Sequence, residues 1–309
     1  MAECLASQCV SRCGLPASWK LPMPELPEVE TIANGVHARV QGQQIVAIWT
    51  SGKPQTFKST ETEIAEALTG AIVESVRRVG KTIVLTAGRG PASQNEQKPR
   101  PGQVEFLIHL GMTGRLLVSQ PEVTLPPHTH AVLTLADGRE IRFVDPRRFG
   151  RLSIYKPTSG KQGPEAPYKG QGCEPLTISL KEFIALFQGR RTPIKAALLN
   201  QSLLQGVGNI YADEALFGAG IRPQRQAGRL TRDELVRLRK SLQAVLRHAI
   251  KLGGSSVSDY VDAEGRRGFF QLRHKVYGRA GQPCTVCGTK IRKITLAGRG
   301  THFCPVCQK

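Results

Sequence analysis

Four cysteines close the chain: Cys284, Cys287, Cys304 and Cys307, in the order C-x2-C-x16-C-x2-C. Two disulfides would use the same atoms. The spacing instead suits four thiolates around one zinc ion, and Gly288 follows the first pair in "PCTVCGTK", as the knuckle turn of such sites wants. A tail this short has little apolar core of its own, which gives a metal staple a physical reason. A second stretch raises a different chemical question. "MPELPEVETIANGV" begins at Met23 and reads like a chain start, with a proline and then Glu25, Glu28 and Glu30. Ahead of it, residues 1–22 differ in character, with Cys4, Cys9 and Cys13 scattered and no periodicity. Glu3 stands early and there is neither a basic opening nor an apolar core, so a secretory signal is not expected.

The charge balance narrows the partners. Lys and Arg number 43 against 24 Asp and Glu, a formal net charge of +19. The excess is spread along the chain, which suits a long polyanion, so nucleic acid is the expected partner. No apolar run approaches the roughly 18–20 residues that span a bilayer. No basic amphipathic stretch with a bulky apolar face suggests a membrane surface. Cysteine usage fits a cytoplasmic protein with reduced thiols, Cys173 standing alone in a loop.

These groups need elements to hold them. With 309 residues and 40% of them hydrophobic, the chain can build two domains and an appendage. Val29, Ile32, Ala33, Val36 and Val40 recur at helical spacing, Pro27 suits a first turn, and Gly42 ends the helix. Short β-rich runs follow: "QIVAIWT", "AIVESVRRV", "TIVLTA", "VEFLIHL", "RLLVS", "HAVLTLADGREIRFV" and "RLSIY", with Asp137-Gly138 as a hairpin turn. They predict a β-sandwich. Residues 88–102, rich in Gly, Pro and Gln, read as a hairpin insert, and residues 156–175 as an interdomain linker. Beyond the linker the pattern turns helical, with a Thr231/Glu234 capping box before a long helix that Gly253-Gly254 ends. The expected class is α+β. Its parts are an extension over 1–23, a sandwich domain over 24–155, a linker over 156–175, a helical domain over 176–273 and a zinc hairpin over 274–309.

"PELPEVETI", "HLGMTGRL", "DPRRFGRL", "GVGNIYADEALF" and the four-cysteine tail occur here in one order. Together they resemble the bacterial formamidopyrimidine-DNA glycosylases, which excise oxidised purines and cut DNA at the abasic site. The likeness runs from Met23 to Lys309 and leaves residues 1–22 outside. It implies that the nitrogen of Pro24 attacks the sugar's C1′ and forms a Schiff base. The chemistry is sound, because an α-amine has a reference pKa roughly 2.5 units below that of lysine. A secondary amine also yields an iminium that carries its charge without protonation. An amide-bonded Pro24 nitrogen has no basic lone pair, so the working chain is expected to begin after Met23, as an exposed Met-Pro start permits.

The resemblance also implies roles for other residues. Glu25, beside the nucleophile, would be the general acid/base, although a glutamate at a helix start is ordinarily only a favourable charge. Lys81 would assist β-elimination, and Arg299 would aid δ-elimination while contacting phosphate. A single structural zinc would hold Arg299 on a rigid hairpin. Met112, Arg147 and Phe149 would fill the gap left by a flipped base, recovering part of the lost stacking. Asn209, in a helix–two-turns–helix with Gly206 and Gly208, would grip phosphate with Arg148, Arg191, Lys195 and His128. Glu28 would help hold the flipped base, and "GGSSVSDYVDAEGRRGFFQ" would cap it. The implied protein is a monomer that acts on duplex DNA in the bacterial cytoplasm, associated with the nucleoid. Two other readings compete: an endonuclease VIII type that prefers oxidised pyrimidines, and a non-catalytic zinc-bearing DNA-binding protein whose nucleophile residues 1–22 mask.

The extension carries only +1 (Arg12 and Lys20 against Glu3), so the chain without it keeps +18. Duplex affinity should therefore fall steeply with ionic strength in either form, with a clearly negative slope of log K against log salt. A flat slope would assign the basic surface to something else.

Overall fold

Described in this computed structural model are residues 23–89, 102–156, 167–256 and 260–309. The extension 1–22 with its three cysteines, most of the hairpin insert, the first part of the linker and residues 257–259 of the capping loop lie outside the described residues.

Helix α1 (Leu26–Val40) buries the expected stripe, Val29, Ile32, Ala33, Val36 and Val40. Pro27 sits in its first turn, and Gly42, at φ +80°, leads the chain away. Eight strands follow: β1 (Ile45–Thr50), β2 (Ile72–Val79), β3 (Thr82–Gly88), β4 (Val104–His109), β5 (Arg115–Ser119), β6 (Thr129–Leu135), β7 (Glu140–Val144) and β8 (Arg151–Tyr155). They form two antiparallel sheets, ordered β1-β6-β7-β5 and β2-β3-β4-β8, around one core with α1. Gly138, at φ +87°, makes the Asp137-Gly138 turn between β6 and β7. Helix α2 (Glu61–Leu68), between β1 and β2, went unforeseen. Thr60 and Glu63 cap each other there, and Ile64 and Leu68 reach the sandwich core.

A second core belongs to α3 (Leu180–Phe187), α4 (Ile194–Leu199), α5 (Asn209–Ala219) and α6 (Arg232–Lys251). The Thr231/Glu234 box caps α6 as expected, and Gly253 and Gly254 follow it at positive φ. Leu26 packs into this second core while the rest of α1 serves the first. The start of α1 is thus wedged between the two domains, and its backbone is tied there by Leu26 N donating to Gly206 O at 3.0 Å. The described part of the linker is no free tether. Tyr168 N donates to Glu105 Oε2 at 2.7 Å, and Gln205 N donates to Cys173 O at 3.1 Å. Strands β9 (Arg292–Leu296) and β10 (Arg299–Phe303) form the terminal hairpin, turning at Ala297 and Gly298. The chain end is fastened to α5 through Lys309 N and Gly220 O at 3.0 Å.

Candidate active site

The first turn of α1 and the first turn of α5 point at one carboxylate. Glu25, the residue before α1, is 3% exposed and accepts hydrogen bonds from Ile210 N at 3.0 Å and Tyr211 N at 3.4 Å. Those are unpaired donors of the α5 N-terminus, where a negative charge is favoured. The approach needs Gly208 without a side chain, because a Cβ there would lie 2.1 to 2.5 Å from the Glu25 carboxyl group. Burial still dominates and pushes the Glu25 carboxyl upward, opposed first by Lys81 and then by the α5 amides. Lys81 follows Gly80 in the β2–β3 turn. Burial lowers its ammonium, Glu25 opposes that, and Arg299 adds to it. Acid and amine are both pushed toward their neutral forms, which brings their proton affinities closer together.

These groups line a cleft of about 980 Å³. Met23, Glu25, Lys81, Asn209 and Arg299 stand on its wall, as do Met112, Arg147 and Phe149. Lys58 and Arg151 add charge, and Glu25 is the cleft's only acidic side chain among the described residues. Such a wall suits a polyanion.

Buried Asp145 shapes one rim of the cleft. Its carboxylate accepts from Thr113 Oγ1 at 2.6 Å, Gly150 N at 2.7 Å and Arg147 N at 3.2 Å, so "GMTG" and "DPRRFG" fold onto each other. Gly111, at φ +63°, could carry no side chain, since a Cβ would meet the Phe149 backbone at 2.5 Å. Phe149 is 50% exposed, with the Arg147 guanidinium 4.9 Å from its ring centroid. An exposed aromatic braced by a cation suits a wedge. His128 and Arg148, both exposed, hold positive φ without being glycines. Such backbone persists where neighbours impose it, and Asp145 N donating to His128 O at 3.0 Å does so here.

Opposite lies the hairpin. Lys195 was expected among the phosphate-holding cations, and the structure corrects this. It is 1% exposed, paired with Asp213 at 2.6 Å, and donates to Thr301 Oγ1 at 2.8 Å and Gly300 O at 3.0 Å. Asn209 Nδ2 also donates to Gly300 O at 3.0 Å, and His302 N donates to Asp213 Oδ2 at 2.8 Å. Lys195 therefore braces the strand that begins with Arg299. Arg191 is exposed just before α4.

The four terminal thiols gather within 4.8 Å of one another. Cys284 and Cys307 Sγ are 3.9 Å apart, and Cys287 and Cys304 Sγ 3.5 Å. A disulfide requires about 2.05 Å. Zinc with sulfur ligands at about 2.3 Å has tetrahedral edges of roughly 3.8 Å. Backbone N–H groups of Val286 and Cys307 point at Cys284 and Cys304 Sγ, as they do to thiolates. The residues fit one closed, structural zinc.

Residues 23–152 match the sequence profile of the formamidopyrimidine-DNA glycosylase N-terminal domain, residues 171–261 its H2TH domain, and residues 281–309 the zinc finger found in FPG and IleRS. The chain belongs to the formamidopyrimidine-DNA glycosylase family. It is similar to the formamidopyrimidine-DNA glycosylase of Solibacter usitatus, 42% identical over 294 residues, covering 93% of this chain and all of that one. The crystal structure of MutM (FPG) from Thermus thermophilus superposes with a TM-score of 0.76 at 40% identity, over 92% of this chain and 98% of that one. A Lactococcus lactis FPG variant in complex with Fapy-dG-containing DNA gives 0.78 at 32%, over 93% of this chain and all of that one.

Within this family's frame, Glu28 stands behind the cleft wall. It accepts from Glu25 N at 2.9 Å, Ser255 N at 2.7 Å and the Tyr211 hydroxyl, and burial, aided by Glu25, raises its carboxyl to about 7. It ties Ser255, just beyond α6, to the starts of α1 and α5. His109 was missed although it belongs to "HLGMTGRL". It lines the cleft, and burial beside Lys81 and Arg151 lowers its imidazole. A histidine on a strand carries no local sign of this.

Two outcomes are expected. Gly208→Ala should displace Glu25 and slow single-turnover base excision about a hundredfold, with zinc content unchanged. Metal analysis should find about one zinc per chain, and Cys304→Ser should lose both the metal and tight duplex binding.

Proposed function

We propose that this chain excises oxidised purines, 8-oxoguanine and formamidopyrimidines, from duplex DNA, and then cuts the strand by β,δ-elimination. The observation that carries the reading is the convergence of Glu25, Lys81 and Arg299 on the cleft that Met23 enters. Met23 is bonded to the Pro24 nitrogen, so a chain that begins at Pro24 presents its amine to that same space.

That amine attacks C1′ as the base departs with its bonding electrons, and Glu25 donates a proton to the opening sugar. The resulting iminium accepts the electron pair released when a proton leaves C2′, and the 3′ phosphate departs. Lys81 is positioned for that proton step, and Arg299 for the second elimination, which releases the 5′ phosphate. Met112, Arg147 and Phe149 fill the vacated stack, while Asn209, Arg148, Arg191 and His128 hold phosphate. Zinc takes no part in these steps and stiffens the hairpin that carries Arg299. The protein acts as a monomer in the cytoplasm, on nucleoid DNA. Its domains are 24–155, 176–273 and 274–309 about the linker 156–175, and residues 1–22 must be absent from the active form.

Borohydride trapping tests this. The chain beginning at Pro24 should form a covalent adduct with an 8-oxoguanine:cytosine duplex, and the full chain should not. Trapping by a chain that retains residues 1–22 would move the nucleophile to a lysine. No trapping by either form would leave a binding protein. Much faster cutting at thymine glycol would place the chain with the endonuclease VIII type.

A further inference from the structure

We infer that Arg78 is a positioning residue that registers Lys81 against Glu25, and that abasic-site cleavage depends on it. The inference rests on the roles of Lys81 and Glu25 proposed above.

Arg78 lies on β2 next to the turn that carries Lys81, and its side chain is 4% exposed. Its guanidinium reaches three elements at once. Nε contacts Glu30 Oε2 at 2.6 Å, on the helix whose N-terminus is capped by Glu25. Nη1 donates to Gly80 O at 3.2 Å, the carbonyl of the residue bonded to Lys81. Nη2 contacts Glu174 Oε1 at 2.9 Å, at the end of the linker. Gly80 has φ +61°, which glycine adopts without strain, and the Arg78 bond to its carbonyl orients the backbone leading into Lys81. Arg77, the adjacent residue, points to the opposite face of β2. It contacts Glu105 Oε1 at 2.8 Å and Tyr168 O at 3.0 Å. The two arginines thereby strap the linker across the strand end from both faces.

Lys81 comes from the sandwich, whereas Glu25 is held by the helical domain through Ile210 and Tyr211. Proton transfer between such groups tolerates little displacement. Helix α1 packs on β2 and β3 in the sandwich core, and the Arg78 fork adds a polar tie between that helix and the turn of Lys81 at the end nearest the cleft. Arginine suits this span because Nε, Nη1 and Nη2 are three separated donors in one rigid plane, whereas a lysine's donors all radiate from a single nitrogen.

The test uses the form of the chain that traps DNA and a duplex with a preformed abasic site, read by single-turnover strand cleavage across pH. Arg78→Lys and Arg78→Met should each slow cleavage by about tenfold or more. Affinity for a duplex with a tetrahydrofuran site should change by less than about threefold. Lys81 faces Glu25 just before α1, Glu28 of α1, His109 of β4 and Arg299 of β10. Released from its buried turn, it should titrate at higher pH, so the limb of the profile that Lys81→Ala removes should move up in both Arg78 variants. Glu174→Gln, which loosens one arm, should give a smaller loss in the same direction. Leu68→Ala, in the sandwich core and off the cleft wall, controls for lost stability and should cleave with an unshifted profile below its melting temperature.

Full cleavage by Arg78→Lys overturns the inference. So does a loss in the Arg78 variants with an unshifted profile like that of Leu68→Ala. If Lys81→Ala itself cleaves normally, the proposed role of Lys81 fails first, independently of Arg78.

Discussion

The Glu25 carboxylate, buried where two helices begin, constrains the rest of this molecule. Taking a carboxylate out of water costs several kcal/mol unless donors and charges replace its hydration. Here the replacement comes from the α5 amides and from Lys81, groups that belong to different domains. Gly208 must lack a side chain to let the carboxylate in, and Leu26 must leave the α1 stripe to anchor in the helical core. The interdomain geometry is therefore fixed at this carboxylate on the cleft wall, and the linker is strapped down beside it.

Helix α5 extends that constraint to the zinc hairpin. Nearly all of its residues are buried, the acidic ones included. Tyr211 donates to Glu28, Asp213 pairs with Lys195 and receives His302 N, and Glu214 accepts from the N–H groups of Lys275, Val276 and Tyr277. One short helix thus addresses α1 at its start and the hairpin along its side. Buried polar groups held this way specify one arrangement, because every displaced partner would leave a desolvated donor or acceptor. Zinc completes the brace by closing the hairpin on the far side of Arg299.

Local signals in the chain were enough for much of the fold. The short β-rich runs became β1 to β8, Asp137-Gly138 became the β6–β7 turn, and Thr231 with Glu234 became the α6 cap. Each depends on residues within a few positions of one another, where spacing alone sets geometry. The Thr60/Glu63 box at α2 carried the same kind of signal and was passed over amid the strands. Lys195 was misjudged for a different reason. In "RRTPIK" it looks like another surface cation, and only Asp213, Gly300 and Thr301, all distant in sequence, make it a buried strut.

The sequence by itself determined the zinc ligands, the turns and caps, the basic character and the order of motifs that marks the family. All of these are set by residue type and short-range spacing. Tertiary structure decided the protonation bias of Glu25, Glu28 and Lys81, the conversion of Lys195 from contact to brace, and the place of His109 on the cleft wall. Those properties follow from desolvation and from charges brought together by folding. Glu25 and Ile210 stand 185 positions apart in the chain and 3.0 Å apart in space, and no local pattern encodes that approach.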